Sequence, residues 1–296
     1  MKPLLATFVL AAALLDTAIL SAGEKSYPRA ELLVEPAALK EAKHFVILDA
    51  RARKKYGQGH IPGAFWVDHE AWAKAFDHGQ NADDWSKRIG ELGIEAKSKV
   101  VVYDDNFSKD AARIWWILRY WGLEDVRLLN GGWKGWQDAK YPVDQTEHTP
   151  AAVKFTAKPG GPRLATKDQL LRSLADGKLQ IVDARSEKEF CGDEKMSNKR
   201  AGAIPGARHL EWIDLIDKET QCFKSPDDLR RLFKDAGIVL DQPTATYCQS
   251  GGRASVMAFG LELMGSRDVS NYYPSWAEWS GASDTPVEPG KAKKNK

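Results

Sequence analysis

Ile47-Leu48-Asp49-Ala50-Arg51 occurs twice in this chain, the second time as Ile181-Val182-Asp183-Ala184-Arg185. Further segments repeat in the same order, mostly 143 or 144 positions apart: 59–64 with 202–207, 101–104 with 245–248, 133–136 with 276–279, and 141–143 with 285–287. The first pair is separated by only 134 positions, so the second copy carries an insertion of about nine residues. A period this long indicates two duplicated domains, not a solenoid of short repeats.

Each copy alternates short apolar segments with segments of helical periodicity. The apolar segments end in polar residues, as buried parallel strands do, and cover residues 45–48, 100–103, 180–182 and 245–247. The helical pattern covers residues 110–121, 166–175, 226–236 and 253–264. This alternation predicts the α/β class, with a central parallel sheet in each copy and helices on both of its faces.

One segment carries the residue types of a nucleophilic site, Cys-Gln-Ser-Gly-Gly-Arg at 248–253, hereafter the cysteine loop. It follows a predicted strand and begins a predicted helix, which is where parallel sheets bind ligands. Two adjacent glycines allow successive N–H groups to point inward, and the helix N-terminus adds positive potential. We expect a thiol in this setting to be a thiolate at neutral pH and hence a nucleophile. The alternative is a buried structural cysteine, which would need neither the glycines nor the arginine.

These motifs together resemble the tandem-domain rhodaneses, which include thiosulfate and mercaptopyruvate sulfurtransferases. The resemblance rests on the cysteine loop, the two Asp-Ala-Arg segments, the Gly-His-Ile-Pro-Gly-Ala segment at 59–64 and the Trp-x-x-Trp pairs, and it extends from about Leu32 to Val287. It implies that the Cys248 thiolate takes the outer sulfur of thiosulfate as a persulfide while sulfite departs. Cyanide or a thiol then accepts the sulfur. No metal or organic cofactor is implied, and the six histidines show no metal-ligand spacing.

The resemblance also implies a division of the chain. A non-catalytic rhodanese-like domain is expected over residues 24–148, a linker over 149–163, a catalytic domain over 164–288 and a basic tail over 289–296. Asp104 stands at the position that corresponds to Cys248, and residues 106–109 replace the glycine pair. We therefore expect the first domain to lack an anion-binding loop and to form one wall of an interdomain cleft.

The candidate site residues divide into a nucleophile and the groups that hold the substrate and the persulfide. The predicted nucleophile is Cys248, and the predicted binding residues are Gln249, Ser250, Gly251, Gly252, Arg253 and Arg185. For Arg185 the alternative is a structural ion pair with Asp183. The presence of Arg51 at the same place in the first copy favours that alternative.

The choice of sulfur donor depends on one departure from the family pattern. Family members often carry an arginine four residues after Arg185, where this chain has Glu189. Lys199 and Arg200 are the next cations along the chain. A carboxylate donor would need such a partner, so thiosulfate is preferred and 3-mercaptopyruvate is the alternative.

The composition is that of a globular protein with room for two domains. The chain has 296 residues, 43% of them hydrophobic and 28% charged, and its net charge is only +2. A balance this even does not favour a nucleic-acid partner. The expected partners are a small-molecule sulfur donor and a thiol or cyanide acceptor, and the protein is expected to be a monomer.

The first residues have the layout of a secretory signal peptide, which we place at 1–23. Lys2 precedes an apolar run over 4–15, and Ser21-Ala22-Gly23 provides a small-residue cleavage site. The expected location is the periplasm or the extracellular medium. The run is short for a membrane span and Asp16 interrupts it, although a membrane-anchored form is the alternative.

The sequence does not fix the oxidation states of the three cysteines. Cys191 and Cys222 lie in polar, loop-like segments and either form a disulfide, which would leave Cys248 free, or remain reduced with it.

Two other functions fit parts of the pattern. Cysteine phosphatases also place a cysteine before an anion-binding loop that ends in arginine, but their loop is one residue longer than the four residues between Cys248 and Arg253. A carrier that accepts a persulfide and passes it on would need the same loop. Steady turnover of thiosulfate with cyanide indicates the enzyme, and a single stoichiometric load indicates the carrier.

Overall fold

The computed structural model describes residues 26–78 and 81–291. The signal peptide predicted over 1–23 and most of the predicted basic tail lie outside the described residues. The described chain contains two parallel sheets, of five and four strands, with helices packed around them. This confirms the predicted α/β class with two similar domains.

The first domain is built around a sheet with the strand order β1-β5-β4-β2-β3, in which every pair is parallel. Its elements are β1 (Leu33–Val34), α1 (Pro36–Glu41), β2 (Phe45–Asp49), α2 (Arg53–Gln58), β3 (Ala64–Trp66), α3 (His69–His78), α4 (Ala82–Gly90), β4 (Lys99–Tyr103), α5 (Lys109–Tyr120), β5 (Val126–Leu129) and α6 (Gly132–Asp138). The central strand β4 is buried from its second residue onward, as its unbroken apolar run predicts.

The second domain repeats this arrangement with the order β7-β6-β8-β9, again all parallel. Its elements are α7 (Lys167–Asp176), β6 (Gln180–Asp183), α8 (Glu187–Cys191), β7 (Arg208–His209), α9 (Pro226–Asp235), β8 (Thr244–Tyr247), α10 (Gly252–Leu263), β9 (Val269–Asn271) and α11 (Ser275–Gly281). Leu164 pairs with Asn271 in a single parallel bridge, which stands where β1 stands in the first sheet. The carboxyl end of β8 therefore corresponds to the carboxyl end of β4.

The two domains share a core because α5 of the first packs against α10 of the second. Nearly every side chain of both helices is buried, since each lies between its own sheet and the neighbouring domain. Trp115 on α5 meets Phe259 on α10 edge to face, with ring centroids 5.0 Å apart. Helix α10 begins at the cysteine loop, so this packing also sets the loop against the first domain.

The predicted linker is held against the first domain. The Val153 amide donates to the Gly90 carbonyl at 3.0 Å, and the Phe155 side chain is buried. The Lys158 amide donates to the Trp121 carbonyl at 3.1 Å. Among the described residues no helix combines the length and apolar character needed to cross a bilayer.

A cluster of ion pairs also joins the domains near the C-terminal end of α10. The Glu262 side chain is only 4% exposed and accepts from Arg163 at 2.7 Å and from Arg29 at 3.1 Å. Arg119 of α5 lies 3.7 Å from the same carboxylate. Three cations from the N-terminal segment, α5 and the linker thus converge on one buried acid.

Removing this acid should destabilise the protein. Replacement of Glu262 by Gln removes the shared anion of three partly buried arginines, of which only Arg29 keeps another acidic partner, and we expect a loss of about 2–3 kcal/mol in the free energy of unfolding. Chemical denaturation measures it. The matched control is Glu31→Gln, whose side chain pairs with Arg29 but is 59% exposed, and it should change stability by less than about 1 kcal/mol. Equal losses in the two variants would contradict the interdomain role of the cluster.

Candidate active site

The Ser275 hydroxyl anchors the cysteine loop at two points. The backbone N–H groups of Cys248 and Gly251 both donate to Ser275 Oγ at 3.2 Å, and that hydroxyl donates to the Tyr272 carbonyl at 2.8 Å. On the other side, the Cys248 carbonyl accepts from the Trp276 amide at 3.0 Å. The start of α11 therefore holds the loop at the carboxyl end of β8.

Both glycines of the loop lie against close neighbours. Gly251 has φ = 81°, and a Cβ there would lie 2.6 Å from the Tyr273 ring. A Cβ at Gly252 would lie 2.4 Å from Arg113 Nη2. The glycines thus serve two purposes: the first allows the backbone to turn, and the second admits an arginine of the first domain.

The curled backbone leaves a row of amides available. No residue of the described chain accepts a hydrogen bond from the N–H groups of Gln249, Ser250, Gly252, Arg253 or Ala254. Three of these belong to the first turn of α10, whose N–H groups have no partner within the helix and carry the positive end of its dipole. The loop is therefore suited to hold an anion beside the Cys248 sulfur.

In the first domain, the corresponding loop binds a carboxylate of the same chain. At the carboxyl end of β4, Asp104 Oδ1 accepts from the Asn106 and Ser108 amides, both at 3.0 Å. Its Oδ2 accepts from the Asp110 amide at 2.8 Å and from the Ala111 amide at 2.9 Å. The repeat matches three of these donors to the amides of Ser250, Gly252 and Ala254, whose N–H groups have no acceptor among the described residues. The first domain thus carries its own anion where the second has a thiol.

This arrangement corrects one expectation from the sequence. The first domain was expected to lack an anion-binding loop because residues 106–109 contain no glycine. Instead, Phe107 and Ser108 adopt φ values of 54° and 62°, so the backbone curls at non-glycine residues. Burial, aided by the charge of Asp110, raises the pKa of Asp104 to about 6, although the amide hydrogen bonds oppose the rise. The loop persists, and Asp104 fills it.

Arg253 does not present a free charge to the loop. Its Nη1 and Nη2 donate to Glu189 at 2.6 and 2.9 Å in a bidentate pair. Burial alone would raise the pKa of Glu189, but the hydrogen bonds and charge of Arg253, with those of Ser186, lower it to about 2. The pair is therefore ionised and its charges cancel, which reduces the contribution that the sequence suggested for Arg253.

Arg185 has a structural position. Its Nε and Nη2 donate to Asp183, the shortest contact being 2.6 Å, and Nη2 also donates to the Gly202 carbonyl at 2.8 Å. The side chain is 1% exposed and lies over the Trp276 ring. Arg51 repeats these contacts with Asp49 in the first domain. This geometry corrects the assignment of Arg185 to substrate binding and favours the structural alternative.

The inserted segment of the second domain supports the loop from outside. The side-chain amides of Asn198 and Gln249 donate to each other, at 2.9 and 2.7 Å. Arg200 donates to the carbonyls of Trp279, Ser280 and Ala282 and to Thr285, which joins the insertion to the end of α11. Gln249 is therefore oriented by a partner, and Arg200 serves structure.

The loop lies beside a cleft that both domains line. A cavity of about 360 Å³ has walls from Phe76 and Asp77 of the first domain and from Ser250, Tyr273 and Glu278 of the second. Cys248 itself is 1% exposed, so only a small group can reach its sulfur.

The other two cysteines are free thiols in the structure, so the disulfide alternative is not formed. Burial is the main cause that raises the pKa of Cys191 and of Cys222 above its ordinary value. Neither thiol is followed by a glycine pair like the one in the cysteine loop.

Sequence reasoning missed three residues of the site: Arg113, Tyr273 and Ser275. Arg113 Nη1 donates to the Tyr273 hydroxyl at 2.9 Å across 160 positions of sequence. No local pattern marks Arg113, because its role depends on how α5 packs against α10. Ser275 immediately precedes the repeated Trp-x-x-Trp pair, and its counterpart in the first copy is Gly132. This difference between the two copies could have identified Ser275 as a candidate.

Comparison with known proteins agrees with the duplicated architecture. A family model described as a rhodanese-like domain matches residues 34–139 and again residues 166–282. The thiosulfate sulfurtransferase of Azotobacter vinelandii is 31% identical over 87% of this chain and 97% of its own. The human 3-mercaptopyruvate sulfurtransferase is 31% identical over 85% of this chain and 87% of its own.

A solved structure has the same fold over most of the chain. The anaerobic ergothioneine biosynthesis enzyme of Chlorobium limicola, crystallised with trimethyl histidine, superposes with a TM-score of 0.81 at 26% identity. The match covers 90% of this chain and 72% of that protein.

The ion pair beside the loop predicts a specific dependence of stability on pH. Because the pKa of Glu189 is lowered on folding, its stabilising contribution is complete above about pH 4.5 and declines as the pH falls toward 2. Glu189→Gln should therefore cost on the order of 2 kcal/mol at pH 7 and progressively less in acid. Urea denaturation at several pH values measures the difference between variant and wild type. A difference that is constant from pH 7 to 3 would contradict the ionised pair.

Proposed function

The chain belongs to the rhodanese-like family of sulfurtransferases, and we propose that it takes its sulfur from thiosulfate through a persulfide on Cys248. Cyanide or a thiol is the proposed acceptor. The observation that carries the choice of residue is the row of loop amides after Cys248 that have no acceptor among the described residues, since their counterparts in the first domain hold the carboxylate of Asp104.

In the first step, the Cys248 thiolate attacks the outer sulfur of thiosulfate. A new S–S bond forms to Cys248 while the old S–S bond breaks, and its electron pair leaves with sulfite. The loop amides hold the thiolate before transfer and the persulfide anion after it, so the negative charge remains solvated by the backbone throughout. Ser250 lines the cleft, and its hydroxyl is the proposed donor of a further hydrogen bond.

In the second step, cyanide or a thiolate attacks the terminal sulfur of the persulfide. The S–S bond breaks, the electron pair returns to Cys248, and thiocyanate or a new persulfide departs. Because one cysteine accepts and then releases the sulfur, the two substrates bind in turn and the kinetics are ping-pong.

The preference for thiosulfate over 3-mercaptopyruvate rests on Glu189. Family members often have an arginine at this position, whereas here a carboxylate stands beside the loop and neutralises Arg253. Arg200 is one of two adjacent cations that follow Glu189 along the chain, and it already donates hydrogen bonds to carbonyls of the second domain. The other, Lys199, is near the Gly281 carbonyl at 3.5 Å. A mercaptopyruvate carboxylate would thus find little positive charge at this side of the loop.

Steady-state kinetics test the donor and the nucleophile together. We expect thiocyanate formation from thiosulfate and cyanide, with kcat/KM at least about tenfold above that for mercaptopyruvate. Cys248→Ser should lower it by about three orders of magnitude or more, because the hydroxyl of Ser is a far weaker nucleophile. Cys191→Ser and Cys222→Ser are the matched controls and should retain turnover.

Three outcomes would contradict the proposal. Turnover that survives in Cys248→Ser would exclude the site. A faster reaction with mercaptopyruvate would exclude the donor. A single stoichiometric sulfur load without turnover would favour a persulfide carrier over an enzyme.

A further inference from the structure

Arg113 brings a cation of the first domain to the cysteine loop. It lies on α5, and its Nη2 is 2.4 Å from where a Cβ at Gly252 would stand, against the first turn of α10. Its Nη1 donates to the Tyr273 hydroxyl at 2.9 Å. Tyr273 itself is buried and lines the cleft beside the loop. The guanidinium therefore lies at the interface between the domains, in contact with a tyrosine that lines the cleft.

Within the described part of the chain Arg113 forms no ion pair, although burial, which lowers its pKa, is outweighed by nearby charges that raise it, among them Asp110 one turn earlier on α5. Arg185 and Arg253 each have a bidentate acidic partner, Asp183 and Glu189. Within residues 26–78 and 81–291, no carboxylate oxygen lies within 4.0 Å of the Arg113 guanidinium. Partly buried charges are normally paired. Among these arginines, Arg113 alone has charge to offer an incoming anion.

The immediate partner of Arg113 does not supply the missing charge. Burial raises the pKa of Tyr273 to about 12, although Arg113 opposes the rise, so the phenol is neutral at physiological pH. The N-terminus of α10 is itself positive, and a cation beside it is unfavourable unless an anion lies nearby. Arg113, the helix terminus and the loop amides thus concentrate positive potential on one spot.

We propose that Arg113 binds the sulfonate oxygens of the donor anion, together with the amides at the start of α10. This inference rests on the proposed function, since it names how the first domain recognises the oxyanion of that donor. The outer sulfur of the donor then points toward Cys248 while its oxygens face the guanidinium. The catalytic site is therefore shared: the second domain supplies the nucleophile and the first supplies the cation.

The test separates anion binding from turnover by using sulfate as an unreactive dianion. Sulfate should slow the alkylation of Cys248 by the neutral reagent iodoacetamide, and the half-protecting concentration measures binding. In Arg113→Met we expect that concentration, and KM for thiosulfate, to rise by roughly 30-fold. Arg113→Lys should give a smaller rise, because a point charge replaces the fork.

The matched control is Arg119→Met, on the same helix. Arg119 also reaches the second domain, but its partner is Glu262 and not the cysteine loop. Arg119→Met should keep the wild-type half-protecting concentration and KM, even if stability falls. Equal effects in both variants would show that Arg113 acts only through domain packing and would overturn the proposal.

Further outcomes are also decisive. Failure of sulfate to protect wild-type Cys248, or unchanged protection in Arg113→Met, would overturn the role of Arg113. If Arg113→Met does not fold, an unchanged half-protecting concentration in Arg113→Lys would overturn it. Absence of thiosulfate turnover in the wild type would refute the proposed donor and leave the sulfate result to decide on Arg113.

Discussion

The structure depends on how backbone N–H groups at the carboxyl end of a buried strand are satisfied. In each domain the chain leaves the central strand, turns sharply and begins a long helix. The turn directs several backbone N–H groups toward one point. Buried donors without an acceptor are costly, so such a spot requires negative charge. The first domain supplies it from its own chain with the carboxylate of Asp104, which accepts hydrogen bonds from four amides. The second domain places Cys248 there, so its charge can be held by sulfur and exchanged.

The charged side chains around the cysteine loop explain why its positive potential is confined to one region. Arg185 is neutralised by Asp183 and Arg253 by Glu189, so most of the cations near the loop serve to hold the scaffold in place. The positive potential that remains comes from the backbone and from Arg113. Since α5 delivers Arg113 only when it is packed on α10, the interface between the domains is part of the site.

Much of this was predictable because the chain is duplicated. The repeated Asp-Ala-Arg segments identified two equivalent strand ends, and the apolar runs located strands to within one or two residues. For example, the segment 100–103 became Lys99–Tyr103. Gly251 marked the curl, because φ values above zero favour glycine.

The remainder depended on side chains that are distant in sequence. The sequence could not reveal that Arg253 would be paired with Glu189, since the contact joins two different elements of the second domain. It also suggested that the first domain had lost its loop, because Phe107 and Ser108 rarely take left-handed values and only tertiary packing sustains them. The role of Arg113 appears only when two helices of separate domains are placed together.

The most direct measurement is the mass of the protein after reaction with one equivalent of thiosulfate, followed by mapping of its three cysteine-containing peptides. We predict that the peptide with Cys248 gains the mass of one sulfur atom and loses it again when cyanide is added. Sulfur found on Cys191 or Cys222 instead, or no gain in mass at all, would contradict it.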